Sequence, residues 1–94
     1  MPEHVKVMLT WPFREIAGVK EIEVELVFGA STLGDILNQL AKRYGTDFND
    51  IINPETGQID FDTWVMVNGK SVRKIDLTLR DNDVVLITVP IGGG

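Results

Sequence analysis

The chain contains no cysteine and only one histidine among its 94 residues. The absence of cysteine excludes disulfides, thiolate catalysis and cysteine-ligated metals, and it is compatible with a reducing cytoplasm. The single histidine, His4, lies close to the N-terminus, where we expect a frayed surface residue rather than a catalytic base. The composition therefore offers little material for a conventional active site.

Long apolar runs and basic patches are also missing. No stretch approaches the roughly 18 apolar residues that cross a membrane, and the N-terminus "MPEHVKVMLT" lacks the apolar core of a signal peptide. The net charge is -5, and the nine Lys and Arg residues are scattered, which disfavours binding to nucleic-acid phosphates and suits a basic protein partner. We expect a cytoplasmic protein that binds neither membrane nor nucleic acid.

The first part of the chain carries two alternating patterns, which predict strands at 4–10 and 20–28. The segment 11–19 between them is predicted to be a loop, because Pro12 and Gly18 interrupt regular structure. The two strands are expected to form an antiparallel hairpin with one face exposed to water. Three glutamates share that face of the second strand and are interpreted as the solubilising face of an edge strand: Glu21, Glu23 and Glu25.

The segment 29–45 has the spacing of an amphipathic helix. Its apolar stripe consists of Leu33, Ile36, Leu37, Leu40 and Tyr44. Thr32 and Asp35 are spaced as a capping box, and Gly45 is predicted to take the left-handed conformation at the C-terminal end. This is the only helix that the sequence predicts.

The second half of the chain is predicted to be mostly strand. The segment 46–62 is long and rich in turn residues, with a possible short strand "QIDF". Asn68-Gly69 is a strong hairpin signal. Three further strands are predicted at 63–67, 70–75 and 84–89.

These elements predict one α+β domain at residues 1–91, followed by a glycine tail at 92–94. The single helix must cover the apolar face of a mixed sheet, with the first and last strands together at its centre. Asp81 and Asp83 are interpreted as turn formers rather than as metal ligands. Because no catalytic group of residues can be assembled from this pattern, the chain is not expected to be an enzyme.

The C-terminal "VPIGGG" admits two interpretations. Pro90 cannot donate to a strand ladder, and the glycines after it have no side chains. Only a backbone without side chains fits into a channel that is too narrow for side chains. The segment therefore suits a flexible tail that inserts into a partner protein. A generic glycine tail is equally compatible with an end of no function.

Several segments, in this order, resemble the ubiquitin-like sulfur carriers, the family of the molybdopterin synthase small subunit and the thiazole-synthesis carrier. They are "REIAG" (14–18), "STLGDILNQLAKRYG" (31–45), "VMVNGKSV" (65–72) and "LRDNDVVLITVPIGGG" (79–94). The resemblance spans the chain apart from the insertion at 46–62. It implies a β-grasp (ubiquitin-like) fold, with a mixed sheet of four to five strands covered by one main helix and a flexible C-terminal glycine tail.

The resemblance also implies a use for the tail. A ubiquitin-activating-type adenylyltransferase, using ATP and magnesium, would adenylate the carboxylate of Gly94, and sulfur would then convert it to a thiocarboxylate. The tail inserted into the partner would comprise Pro90, Ile91, Gly92 and Gly93. The chain itself would bind no cofactor and no metal, since it serves as a co-substrate. The first assignment is molybdopterin (molybdenum cofactor) synthesis, with the molybdopterin synthase large subunit or another sulfur acceptor enzyme as the receiving partner.

A docking surface for these partners is predicted on the outer face of the sheet. Its candidate residues are Met8, Thr10, Trp64, Met66, Leu86 and Thr88. The alternative is that residues 46–62 fold over this surface. Thr10 and Thr88 stand near the tail, where molybdopterin carriers often have large apolar groups, and Gly92 replaces their usual small residue.

Three further functions therefore stay open. The chain is interpreted alternatively as a ubiquitin-like modifier that is joined to lysines through Gly94, or as a carrier for tRNA thiolation or thiazole synthesis. A third interpretation is a protein-interaction module with an idle tail.

Overall fold

The computed structural model describes residues 3–26 and 32–89. The described strands are β1 (His4–Leu9), β2 (Glu21–Glu25), β3 (Trp64–Val67), β4 (Lys70–Val72) and β5 (Val84–Thr88). The described helices are α1 (Phe13–Ala17), α2 (Leu33–Tyr44) and a 3₁₀ helix (Thr46–Phe48). None of these helices has the length and apolar character needed to cross a membrane.

The strands form one mixed sheet in the order β2-β1-β5-β3-β4. The first and last strands, β1 and β5, pair in parallel at the centre, and the other pairs are antiparallel. β2 lies at one edge, and its three glutamates are exposed there, as predicted. This arrangement is the predicted β-grasp fold, and it confirms the central position of the last strand.

The core lies between one face of the sheet and α2, and alternation along each strand explains how it forms. In β1 and β5 every second residue is buried, so that Val7, Val85 and Ile87 have no exposed surface. From α2 the predicted apolar stripe enters the same cluster, with Tyr44 only partly buried. The core of the described residues is Val5, Val7, Leu9, Phe13, Ile22, Val24, Leu26, Leu33, Ile36, Leu37, Leu40, Phe48, Ile51, Ile59, Val65, Val67, Leu79, Val85 and Ile87.

The predicted capping box at the start of α2 is confirmed. The Oγ1 of Thr32 accepts a hydrogen bond from the backbone N–H of Asp35 at 3.2 Å, and the Asp35 carboxylate accepts one from the N–H of Thr32 at 3.1 Å. The prediction for Gly45 is wrong, because its φ of 128° and ψ of 163° lie outside the left-handed helical region. The physical reason is that Gly45 also begins the 3₁₀ helix, so the chain extends there before it turns again.

The predicted hairpin at Asn68-Gly69 is confirmed, since both residues have a positive φ (52° and 84°). The Asn68 side chain also ties this hairpin to the start of β5. Its Nδ2 donates to the Asp83 carboxylate at 2.9 Å, and its Oδ1 accepts from the N–H of Val84 at 3.0 Å. The Asp83 carboxylate also accepts from the N–H of Arg80 at 2.8 Å, so it acts as a turn former, as interpreted.

Three further local predictions are wrong. Residues 13–17 form α1 rather than a loop, because Pro12 and Gly18 cap this short helix instead of preventing it. No strand forms at "QIDF"; residues 46–62, all of which the structure describes, contain the 3₁₀ helix, turns and isolated bridges. His4 is not frayed, because it pairs with Glu25 in β2 and its N–H donates to the Asp81 carboxylate at 2.9 Å.

Candidate functional site

The root of the C-terminal tail lies at the centre of the sheet. β5 runs between β1 and β3 and ends at Thr88, and Val89 after it is partly buried against the core. The predicted tail residues, Pro90, Ile91, Gly92, Gly93 and Gly94, lie outside the described residues, so their role stays a prediction. The structure nevertheless defines the surface from which they continue.

An apolar row crosses the outer face of the sheet, which is the face turned away from α2. Met8 of β1 pairs with Leu86 of β5, and Leu86 pairs with Met66 of β3 on its other side. Met8 is 41% exposed, and the other two are partly buried. The strands thus bring together, on one face, the three apolar residues that the sequence predicted for a docking surface.

A second row, nearer to the tail, is polar. The hydroxyl of Thr10 donates to the hydroxyl of Thr88 across a distance of 2.6 Å. Thr10 also donates its N–H to the carbonyl of Ile87 at 3.2 Å, so it continues the pairing of β1 with β5 beyond the end of β1. Trp64 pairs with Thr88 from the other side and is 51% exposed. All six predicted surface residues therefore lie around the end of β5; whether they bind a partner stays a prediction.

The insertion at 46–62 does not cover this surface. Three of its residues, Phe48, Ile51 and Ile59, are buried in the core on the α2 side of the sheet. The Phe48 ring centroid lies 5.6 Å from that of Phe13 and 6.1 Å from that of Tyr44. Because these three side chains turn inward while Met8 and Trp64 stay 41% and 51% exposed, the alternative of a covered docking surface is wrong for Met8 and Trp64.

Sequence reasoning missed two residues beside the surface, Phe61 and Arg73. Phe61 is 79% exposed, and the Arg73 guanidinium carbon lies 4.1 Å from its ring centroid. Arg73 also donates from Nη2 to the carbonyl of Ile59 at 2.9 Å. The neighbours of Phe61 in the sequence could have indicated its exposure. An aromatic residue between Asp60 and Asp62 in a turn has a charged residue on each side and is poorly placed to enter the core.

The charged side chains along the β2 edge of the sheet are mostly acidic. Glu21, Glu23 and Glu25 are exposed along that edge, and among the described residues only Glu21 forms an ion pair there, with Lys6 at 3.6 Å. This ion pair is half-exposed and contributes little to stability. The face therefore combines an apolar centre with an acidic edge, which is complementary to a partner with a basic rim. Within residues 3–26 and 32–89 there is no group of three or more His, Asp or Glu side chains that could hold a metal ion.

Comparisons with known proteins agree with this architecture. The ThiS family matches residues 7–94 of the chain, a range that includes the glycine tail. No curated protein sequence is similar enough to the chain to count as a match.

Solved structures give a consistent picture. A candidate molybdopterin converting factor, subunit 1, from Pyrococcus furiosus is 35% identical, with a TM-score of 0.75, covering 95% of this chain and 99% of that one. Small archaeal modifier protein 1 from Methanosarcina acetivorans is 23% identical, with a TM-score of 0.74, covering 100% of this chain and 99% of that one. Urm1 from Trypanosoma brucei is 18% identical, with a TM-score of 0.73, covering 99% of this chain and 97% of that one. The last two share the fold.

Proposed function

Because the chain belongs to the ThiS family, we propose that it is a sulfur carrier whose Gly94 carboxylate is adenylated and then converted to a thiocarboxylate. Small proteins of this ubiquitin-like kind are substrates or subunits of other enzymes and not catalysts, so this chain is not an enzyme. Within the proposal, the sulfur is donated in molybdopterin synthesis, where the chain serves as the small subunit of molybdopterin synthase.

The observation that carries the proposal is the position of β5. This central strand is held on both sides by β1 and β3, and it ends beside the exposed part of the outer face. A partner that binds this face of the sheet would therefore bind the residues after Val89 in a defined direction. The 35% identity to the Pyrococcus furiosus candidate molybdopterin converting factor supports the choice of pathway.

The chemistry explains why activation is needed. A carboxylate is a poor electrophile, because its charge is delocalised over two oxygens. ATP, bound with magnesium in the partner enzyme, would convert the Gly94 carboxylate to an acyl-adenylate and release pyrophosphate. AMP is then the leaving group when the terminal sulfur of a persulfide attacks the carboxyl carbon. A thiol would next cleave the S–S bond of the resulting acyl disulfide, which leaves the thiocarboxylate and a new disulfide. This chain supplies only the carboxyl group and the surface that positions it.

The proposal is tested by ATP–pyrophosphate exchange with the ubiquitin-activating-type adenylyltransferase encoded in the same genome. We expect exchange that depends on the carrier, and we expect its loss when Gly94 is deleted or when one residue is appended after it. The melting temperature of both variants should stay close to that of the parent, because the core lies within residues 5–87. Undiminished exchange by the Gly94 deletion would contradict the proposal.

A second candidate is a ubiquitin-like modifier that is joined to lysines through Gly94. The polar pair Thr10–Thr88 favours it, because the hydroxyls stand beside the tail root, where the resemblance to molybdopterin carriers leads us to expect large apolar groups. Isopeptide-linked adducts of Gly94 in cell lysates would support this function. Carriers for tRNA thiolation or thiazole synthesis share the same activation chemistry and differ only in the acceptor.

A further inference from the structure

One corner of the sheet presents two exposed aromatic rings and a cation, which we call the aromatic corner: Phe61, Trp64 and Arg73. Arg73 follows Val72, the β4 partner of Val65, so it lies beside the end of β3 at which Trp64 stands. Because an exposed ring buries little apolar surface, it contributes little to the stability of the fold. Single exposed apolar residues are ordinary, but here two large rings are exposed within four positions, and Trp64 lies two residues before Met66 in β3, on the same outer face of the sheet.

The Phe61 ring is held in place although it is exposed. It occupies the second position of a turn in which the Asp60 carbonyl accepts from the N–H of Thr63 at 3.1 Å. The Asp60 carboxylate accepts from the N–H of Phe61 at 2.9 Å, and Thr63 is buried. Arg73 stacks on the ring and is itself fixed by its bond to the Ile59 carbonyl. A ring ordered in this way loses little conformational entropy when it binds, which is typical of the residues that dominate protein interfaces.

The position of the tail identifies the occupant. Five residues follow Val89, and they span at most about 17 Å when fully extended. Trp64 is the β3 partner of Thr88, and neighbouring strands lie about 5 Å apart. An enzyme that acts on the carboxyl carbon of Gly94 therefore has its surface within reach of the aromatic corner.

We infer that the aromatic corner is a docking element for the adenylating enzyme, which presents an apolar pocket for the Phe61 ring with Lys or Arg at its rim. The basic rim follows from charge, because Asp60 and Asp62 flank the ring and the chain carries a net charge of -5. The inference rests on the proposed function. It adds to the predicted surface a contact from the 46–62 insertion, so it also assigns a role to that segment.

The test measures the KM for the carrier and the kcat in ATP–pyrophosphate exchange by the same adenylyltransferase. Phe61→Ala should raise the KM about tenfold or more with little change in kcat. Arg73→Gln should raise it less, because the ring stays while its support is lost. Leu77→Ala is the matched control: Leu77 is also an apolar residue, 37% exposed, but its carbonyl accepts from the N–H of Leu33 at the first residue of α2, and it belongs to neither the aromatic corner nor the apolar row. Its KM should equal that of the parent.

The outcomes separate the inference from the proposed function. Exchange with equal KM values for Phe61→Ala and Leu77→Ala overturns the inference and leaves the proposed function standing. Absence of exchange, together with binding by calorimetry that Phe61→Ala weakens at least tenfold, supports the docking element and contradicts the proposed function. Absence of both exchange and binding by the folded parent overturns both. Unchanged circular dichroism spectra of the variants confirm that each one is folded.

Discussion

Truncation of two phenylalanines of the 46–62 insertion should lower the stability of the domain to very different extents. Phe48 has no exposed surface and packs against Phe13 and Tyr44, whereas Phe61 is 79% exposed. Phe48→Ala removes a ring from the core and leaves a cavity, so it should lower the free energy of unfolding by about 3–5 kcal/mol. Phe61→Ala loses only an exposed stacking contact with Arg73, worth about 0.5–1 kcal/mol.

Urea denaturation followed by circular dichroism measures this difference. A domain of 94 residues has a total stability of roughly 5–14 kcal/mol, so Phe48→Ala should lose a large fraction of it. With a urea dependence of about 1–2 kcal/mol per molar, the midpoint should fall by about 1.5 M or more, whereas that of Phe61→Ala should fall by about 1 M or less. If Phe48→Ala is too unstable to measure, Phe48→Leu should lose less stability than Phe48→Ala but still more than Phe61→Ala. Equal losses for the two alanine variants would refute the reasoning that the insertion buries Phe48 and presents Phe61.

Three other perturbations follow from the structure. Thr32→Ala removes the capping box of α2 and should lower the free energy of unfolding by about 1 kcal/mol in the same urea titration, whereas Thr32→Ser should restore most of the loss. Gly69→Ala places a side chain at a φ of 84° in open space, so backbone strain alone should cost about 1–2 kcal/mol, and a stability equal to that of the parent would contradict the hairpin geometry. Thr88→Val leaves the Thr10 hydroxyl without its partner at 2.6 Å and should cost about 1 kcal/mol, while the double variant with Thr10→Val should be nearly neutral; additive losses in this double-mutant cycle would show that the two hydroxyls do not interact.

Local signals account for the parts of the fold that the sequence predicted. Alternation along β1 and β5 reflects one buried and one outer face, and the Thr32–Asp35 and Asn68-Gly69 signals act within a few residues of the backbone that they shape. The central pairing of the first and last strands followed from their low charge together with the need for one helix to cover one sheet. These features depend on short-range chemistry, and they were confirmed.

The parts that were missed depend on contacts made far along the chain. α1 has only five residues, too few for a helical pattern, and it buries Phe13 against Phe48, which lies 35 positions later. The insertion has no regular period, because its buried residues enter the core from turns and a 3₁₀ helix. For the same reason the sequence did not indicate Arg73 as the support of Phe61, because Arg73 lies fourteen positions after Ile59, whose carbonyl accepts its hydrogen bond. The predicted surface residues came together because strand register alone determines which side chains share a face.

If Gly94 is the site of activation, intact-protein mass spectrometry should detect the thiocarboxylate on this chain. The chain is incubated with the adenylyltransferase, ATP, magnesium, a persulfide sulfur donor and a thiol reductant, and the intact chain and its C-terminal peptide are then analysed. We expect a mass gain equal to the replacement of one oxygen by sulfur, located at Gly94 and absent when ATP is omitted. An unmodified Gly94, under conditions in which the same enzyme and donor thiocarboxylate another carrier, would contradict this expectation.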